Sequence, residues 1–128
     1  MKLLRILLLA VAVSVGCGAV SAQSFKVTDY EETDLKAEKL NKVKLEVLGT
    51  KINLSFFRND LKVTIIPESG KRQEILFQKL GKDTYTASTS KNKRLILTLQ
   101  RRFDYITGGR MDLFKKDKKV NTMYFDRY

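Results

Sequence analysis

The chain has 128 residues, 25 basic and 14 acidic, with a formal charge of +11. It contains no histidine, no tryptophan, one cysteine and one proline. Those absences remove the Ser-His-Asp triad and every histidine metal site, and they leave a single thiol for any nucleophile or thiolate role.

Met1-Lys2-Leu3-Leu4-Arg5 is a short basic start. Residues 6–15 are apolar apart from Ser14, and small residues then lead to Val20-Ser21-Ala22. A charged start, an apolar run and a small-x-small end are the three parts of a secretory signal, here residues 1–22. The apolar run is too short for a bilayer, which takes ~20 residues. Cleavage after Ala22 leaves residues 23–128, without a transmembrane segment, in the periplasm or outside the cell. Cys17 admits two readings. It is a small residue discarded with the signal, or it is lipidated, because Val15-Gly16-Cys17 resembles the end of a bacterial lipoprotein signal. The second reading makes the protein an outer-membrane lipoprotein. Ser14 stands where that motif has leucine or a similar residue. Without Cys17 the mature chain has no disulfide, so its core must suffice alone.

Signal removal also takes Lys2 and Arg5, leaving 23 basic against 14 acidic residues, a net +9. Residues 23–50 carry five basic and six acidic residues, and residues 51–128 carry eighteen and eight. A positive field of this kind favours anionic partners without naming one.

Residues 23–41 form an acidic segment. Thr33 is suited to cap a short helix reaching about Leu40, with acidic residues at its start as the helix dipole prefers. An extended strand near Phe25–Val27 is the alternative. From Lys42 to Val47 polar and apolar residues alternate, the period of a half-buried strand. Gly49-Thr50 then reads as a two-residue hairpin that sets Val47 against Ile52, Leu45 against Leu54 and Val43 against Phe56. Asn59-Asp60 reads as the next turn, pairing Phe56 with Val63 and Leu54 with Ile65. A loop at Glu68-Ser69-Gly70 sets Val63 against Ile75 and Leu61 against Phe77. Gly81-Lys82-Asp83 brings Phe77 to Ala87. Ser90-Lys91-Asn92 sets Ala87 against Leu95 and Tyr85 against Leu97. The strands are thus 42–48, 51–58, 61–66, 72–80, 84–89 and 93–99, with one aliphatic face. Beyond Leu99 the register blurs. Phe103–Thr107 is a strand candidate, Gly108-Gly109 a turn, 110–115 a further strand, Asp117 the centre of a charged turn, and 120–125 the last of about nine strands.

Residues 42–128 therefore predict an all-β domain, an antiparallel meander that closes into a small barrel or packs as a two-sheet β-sandwich. In size and hairpin pattern this stretch resembles the lipocalin-like small barrels of exported bacterial proteins. The Gly-x-Trp motif of lipocalins is absent, because the chain has no tryptophan. Outer-membrane barrels need strands of ~9–11 residues, longer than most strands read here.

For function the sequence excludes more than it names. No phosphate-binding glycine loop is present; a carboxylate pair is the remaining route to a hydrolase, but Asp104 and Asp112, the acids nearest Gly108-Gly109, read as ordinary surface charges. The expectation is a non-enzymatic binding protein with no cofactor and no metal. Its ligand is a small apolar molecule inside the barrel, with Tyr85 or Tyr105 as polar handles, or an anionic envelope component on a basic rim. If a turn falls at 100–102, Arg58, Lys79, Lys82, Arg101, Arg102, Lys115, Lys116, Lys118 and Lys119 share one rim. Arg101, Arg102, Lys115, Lys116, Lys118 and Lys119 are its core. Lysines at turns also serve simply to keep strand edges apart. Nucleic acid is not expected, since no aromatic stacking platforms accompany the charges. The alternative is a protein-interaction module or inhibitor with a packed core, using Phe57, Ile66, Leu76 and Ile96 if they form an exposed patch.

Overall fold

The computed structural model describes residues 21–68, 70–90 and 92–127. Cys17 and most of the signal reading lie outside the described residues. Eight antiparallel strands close into one barrel in sequence order, β1 to β8, with β1 returning to β8. They are β1 Ser21–Glu32, β2 Lys51–Phe57, β3 Asp60–Ile66, β4 Gln73–Gly81, β5 Thr84–Ser90, β6 Lys93–Arg102, β7 Tyr105–Lys115 and β8 Lys118–Asp126. One helix, α1 (Ala37–Val47), lies between β1 and β2. No helix among the described residues is long and apolar enough to cross a membrane.

The first elements differ in part from the sequence expectation: the strand expected near Phe25–Val27 lies within β1, and the helix expected to end about Leu40 runs from Ala37 to Val47. Residues 42–48 are not a strand, because they form most of α1 and its exit. The alternation Val43, Leu45, Val47 fits either period over six residues, and burial decides between them. Val43 and Val47, four apart on one helical face, are buried, whereas Leu45 is 78% exposed. Leu40 extends the same stripe against the core. Thr33 does not cap the helix. Its hydroxyl and its amide both bond to β8, the hydroxyl donating to the carbonyls of Lys119 and Val120 at 2.9 and 2.6 Å. Gly49 does need a positive φ, at +89°, but uses it to leave the helix rather than to turn a hairpin. Its amide donates to the Val27 carbonyl at 3.1 Å.

The place expected for 42–48 is taken by the acidic segment. β1 is long enough to pair with two neighbours. Ser21–Lys26 runs against β2, with Phe25 opposite Ile52, and Lys26–Glu32 runs against β8, with Tyr30 opposite Met123. A register shift between Val27 and Asp29 bends the strand from one neighbour to the other. Cleavage after Ala22 would start this ladder at Gln23 opposite Leu54.

The central hairpins follow the sequence closely. Val63 faces Ile75, Leu61 faces Phe77, Ala87 faces Leu95 and Tyr85 faces Leu97, as their apolar alternation requires. The β2–β3 turn sits one residue earlier than expected, at Arg58-Asn59, so Leu54 faces Val63 and Phe56 faces Leu61. That two-residue slip in pairing keeps each side chain on its face. Gly108-Gly109 is not a turn: both residues lie within β7 and are buried. The turn is Phe103-Asp104, joining Arg102 to Tyr105. The strands expected at 103–107 and 110–115 thus become one, which gives eight strands rather than about nine. A Cβ at Gly109 would stand 2.5 Å from the Thr98 carbonyl oxygen and 2.9 Å from the Phe125 ring. Glycine there lets β7 lie close to β6 beneath Phe125.

An eight-stranded barrel is just wide enough for side chains to fill. Phe25, Ile52, Leu54, Leu61, Val63, Ile65, Phe77, Leu95, Leu97 and Met123 are all completely buried. Phe25 meets Phe125 edge to face at 5.5 Å, and Phe56 meets Tyr85 at 6.4 Å. Val43 and Val47 of α1 join this same cluster, so the helix is part of the core.

Candidate functional site

Alternate hairpins of a meander fall at opposite ends, and this sorts the basic residues. One end carries the turns at Arg58-Asn59, Lys82-Asp83 and Phe103-Asp104. They are linked by the Lys79 amide to the Asn59 carbonyl and the Leu99 amide to the Asp83 carbonyl, both 2.8 Å. The other end carries the β3–β4, β5–β6 and β7–β8 connections, where the Lys116 amide donates to the Asn92 carbonyl at 2.9 Å. Arg101 and Arg102 belong to the first end, and Lys115, Lys116, Lys118 and Lys119 to the second. The eleven residues of β7 separate the two groups by about 35 Å. The single rim expected from the sequence is therefore two rims, because the turn is at 103–104 and no turn interrupts β7 at 108–109.

The second end is the more cationic. Lys93 of β6 lies directly opposite Lys115 of β7, and Lys115 lies opposite Lys118 of β8. Three lysines thus stand side by side across three strands. Like charges directly opposite destabilise a sheet. Among the described residues, no carboxylate lies within ion-pair distance of Lys93, Arg94, Lys115, Lys116 or Lys118. Lys119 is different: its ammonium is 3.6 Å from Asp112.

Between the β5–β6 and β7–β8 hairpins is an open recess of about 250 Å³. Lys93, Arg94 and Lys116 contribute its cations. Ser88, Ser90 and Asn92 add neutral donors, Phe114 forms an apolar wall, and Asp117 supplies one carboxylate. Lys93, Arg94, Ser88, Ser90 and Asn92 fall outside the rim expected from the sequence, which gathered the residues that a turn at 100–102 would bring to one end. The pairing of Lys93 with Lys115 was available only from the β6–β7 register.

The interior at this same end is polar. The buried alternation of β4, β5 and β8 ends here on Gln73, Thr89 and Asn121, and Thr50 precedes β2. Thr50 Oγ1, Gln73 Oε1, Thr89 Oγ1 and Asn121 Oδ1 are buried without a hydrogen-bond partner among the described residues. Buried oxygens of this kind ordinarily bind water or a ligand. Tyr30 donates its hydroxyl to Glu32 at the end of β1, at 2.7 Å. The cavity expected from the sequence was apolar, with Tyr85 or Tyr105 as its polar handles.

The tyrosines part company. Tyr85 points into the barrel, 6% exposed, and burial pushes its phenol above the ordinary range despite Arg101 nearby. Tyr105 is 63% exposed beside the Phe103-Asp104 turn, so it is no cavity handle. Asp104 and Asp112 are not brought together either: Asp104 is in that turn, and eight residues of extended chain put Asp112 about 25 Å away. Asp112 is buried, accepts the Thr122 hydroxyl at 2.5 Å and pairs with Arg110 at 3.3 Å, a structural role. Phe57, Ile66, Leu76 and Ile96 are half-buried rather than an exposed patch. No group of three or more Asp, Glu, Cys or His able to hold a metal occurs among the described residues.

Fold and site together define an eight-stranded, side-chain-filled antiparallel barrel with a cationic, helix-bearing end. Comparison with protein-family models, curated proteins and solved structures found no match to the chain.

Proposed function

We propose that the chain is an exported, non-enzymatic binding protein that holds an anionic group, phosphate or carboxylate, of an envelope glycan or glycolipid. The ligand sits outside the barrel, at the recess between the β5–β6 and β7–β8 hairpins. The observation that carries this reading is the Lys93, Lys115 and Lys118 row, aligned without a carboxylate partner among the described residues. Sheet stability alone disfavours that alignment, and an anion relieves it. Arg94 and Lys116 line the adjoining recess, whose volume suits a charged headgroup rather than a whole lipid. The packed aliphatic middle of the barrel supports an outside site over an internal apolar one.

The test is titration with a phosphate-bearing glycolipid in neutral detergent, at two salt concentrations. Lys93→Gln, Lys115→Gln, Lys116→Gln and Lys118→Gln combined should weaken binding at least about tenfold and flatten its salt dependence. Unchanged affinity in a folded variant refutes the site.

A further inference from the structure

The opposite end of the barrel carries a different surface. On one side of the β6–β7 hairpin, β5 begins at Thr84 opposite Thr98, and the Asp83 carbonyl accepts from Leu99. On the other side, β8 ends with Asp126 opposite Gly108, and the Arg127 amide reaches the Thr107 carbonyl. Residues 100–105 therefore extend past the described ends of β5 and β8.

The tip of this projection is apolar where the fold has no use for it. Phe103 occupies the left-handed region at φ +58° and is 87% exposed. A turn asks for glycine, asparagine or aspartate at such a position, and a bulky aromatic there is disfavoured. At the other hairpins the positive-φ positions among the described residues are held by Arg58, Asp83, Lys116 and Asp117, all polar, so Phe103 is the one apolar residue among them. Phe103 gains no burial in return. Tyr105 and Leu80 are each 63% exposed at the same end of the barrel. Three of the four most exposed large hydrophobics among the described residues thus share one end, the fourth being Leu45 on α1.

Charge surrounds these side chains. Arg58, Lys79, Lys82, Arg101 and Arg102 stand at this end against Asp60, Asp83 and Asp104. Arg101 bonds to Asp83 at 2.5 Å, which ties the projecting hairpin to the β4–β5 turn, three residues from Leu80 at the end of β4. Among the described residues, Arg58, Lys79, Lys82 and Arg102 have no ion-pair partner. An aromatic tip ringed by cations matches the two layers of an anionic bilayer surface, acyl boundary beneath and phosphate above. A protein groove would match the apolar tip but gives no reason for the surrounding cations.

We infer that the Phe103 hairpin docks the barrel reversibly on a bilayer bearing anionic phospholipid, with Phe103 and Leu80 entering the interface and Arg102, Lys79 and Lys82 contacting headgroups. This surface is distinct from the lysine row, and either can fail without the other.

The absence of tryptophan provides the test, because Phe103→Trp makes position 103 the sole indole. The full protein carrying Phe103→Trp, and a control carrying Leu45→Trp, are mixed with phosphatidylcholine vesicles with or without phosphatidylglycerol. Position 103 should shift to the blue and resist an aqueous quencher only with phosphatidylglycerol, while position 45 should not respond. In co-sedimentation, Phe103→Ser with Leu80→Ser should reduce vesicle binding at least about tenfold, with circular dichroism unchanged. The lysine-row variant should retain the Phe103 dependence. Vesicle binding that leaves the position-103 emission unmoved overturns the inference, as does no binding to anionic vesicles or equal binding by the serine variant. A tip that instead inserts into a protein partner gives one of those null results.

Discussion

Alanine at Val47 and, separately, at Leu45 distinguishes the helix from the strand that the alternation of residues 42–47 also permits. In a strand the two side chains share the buried face. In α1 they are two residues apart on a helix, where they cannot lie on the same face. Val47 is completely buried in the barrel cluster and Leu45 is 78% exposed. Val47→Ala removes two methyl-sized groups, worth about 1.6 kcal/mol at ~0.8 kcal/mol each, and the cavity term brings the loss to about 2–3 kcal/mol. For a domain of this size that lowers the melting temperature by roughly 10 °C. Leu45→Ala exchanges one good helix former for another in solvent and should stay within about 0.5 kcal/mol of the parent. Urea and thermal unfolding followed by circular dichroism measure both. Comparable losses at 45 and 47 would refute the helix and restore the strand.

Two further predictions bear on the barrel. Gly109→Ala places a methyl against the Thr98 carbonyl and the Leu99 Cα, both backbone and unable to yield, and should cost about 1–3 kcal/mol in chemical unfolding. A neutral result there would mean that β6 and β7 are not so closely packed. The second concerns pH: the Tyr30 amide, with Lys44 3.2 Å away, holds the Asp29 carboxyl below its usual pKa. The lowered native pKa favours the charged form in the fold. Its contribution is therefore complete above the ordinary carboxylate pKa of about 3.9 and is lost as pH falls through the native value. Asp29→Asn should reduce the acid-side fall in melting temperature and leave the neutral-to-alkaline profile unchanged, whereas an unaltered acid limb would show that the contact does not operate in solution.

The sequence by itself determined the class of the fold and its central registers. From Leu61 to Leu97 each hairpin joins alternating strands, and a one-residue slip would turn an entire apolar set to water, so local pattern and burial demand the same pairing. Which residues meet which at a distance was not local information. The alternation of residues 42–47 suits a helix and a strand equally over six residues, and only the valine contacts with the barrel core select the helix. Closure required a strand able to pair with both β2 and β8, and the bent, acidic β1 filled that place despite a weak strand pattern. Gly108-Gly109 carries a strong local turn signal, but the close approach of Thr98 and Phe125 makes glycine a packing requirement there instead. That one reassignment moved Arg101 and Arg102 to the opposite end from Lys115–Lys118. The chain fixed the number and sign of the basic residues, while tertiary register decided which of them act together, because a barrel assigns each hairpin to an end by counting strands.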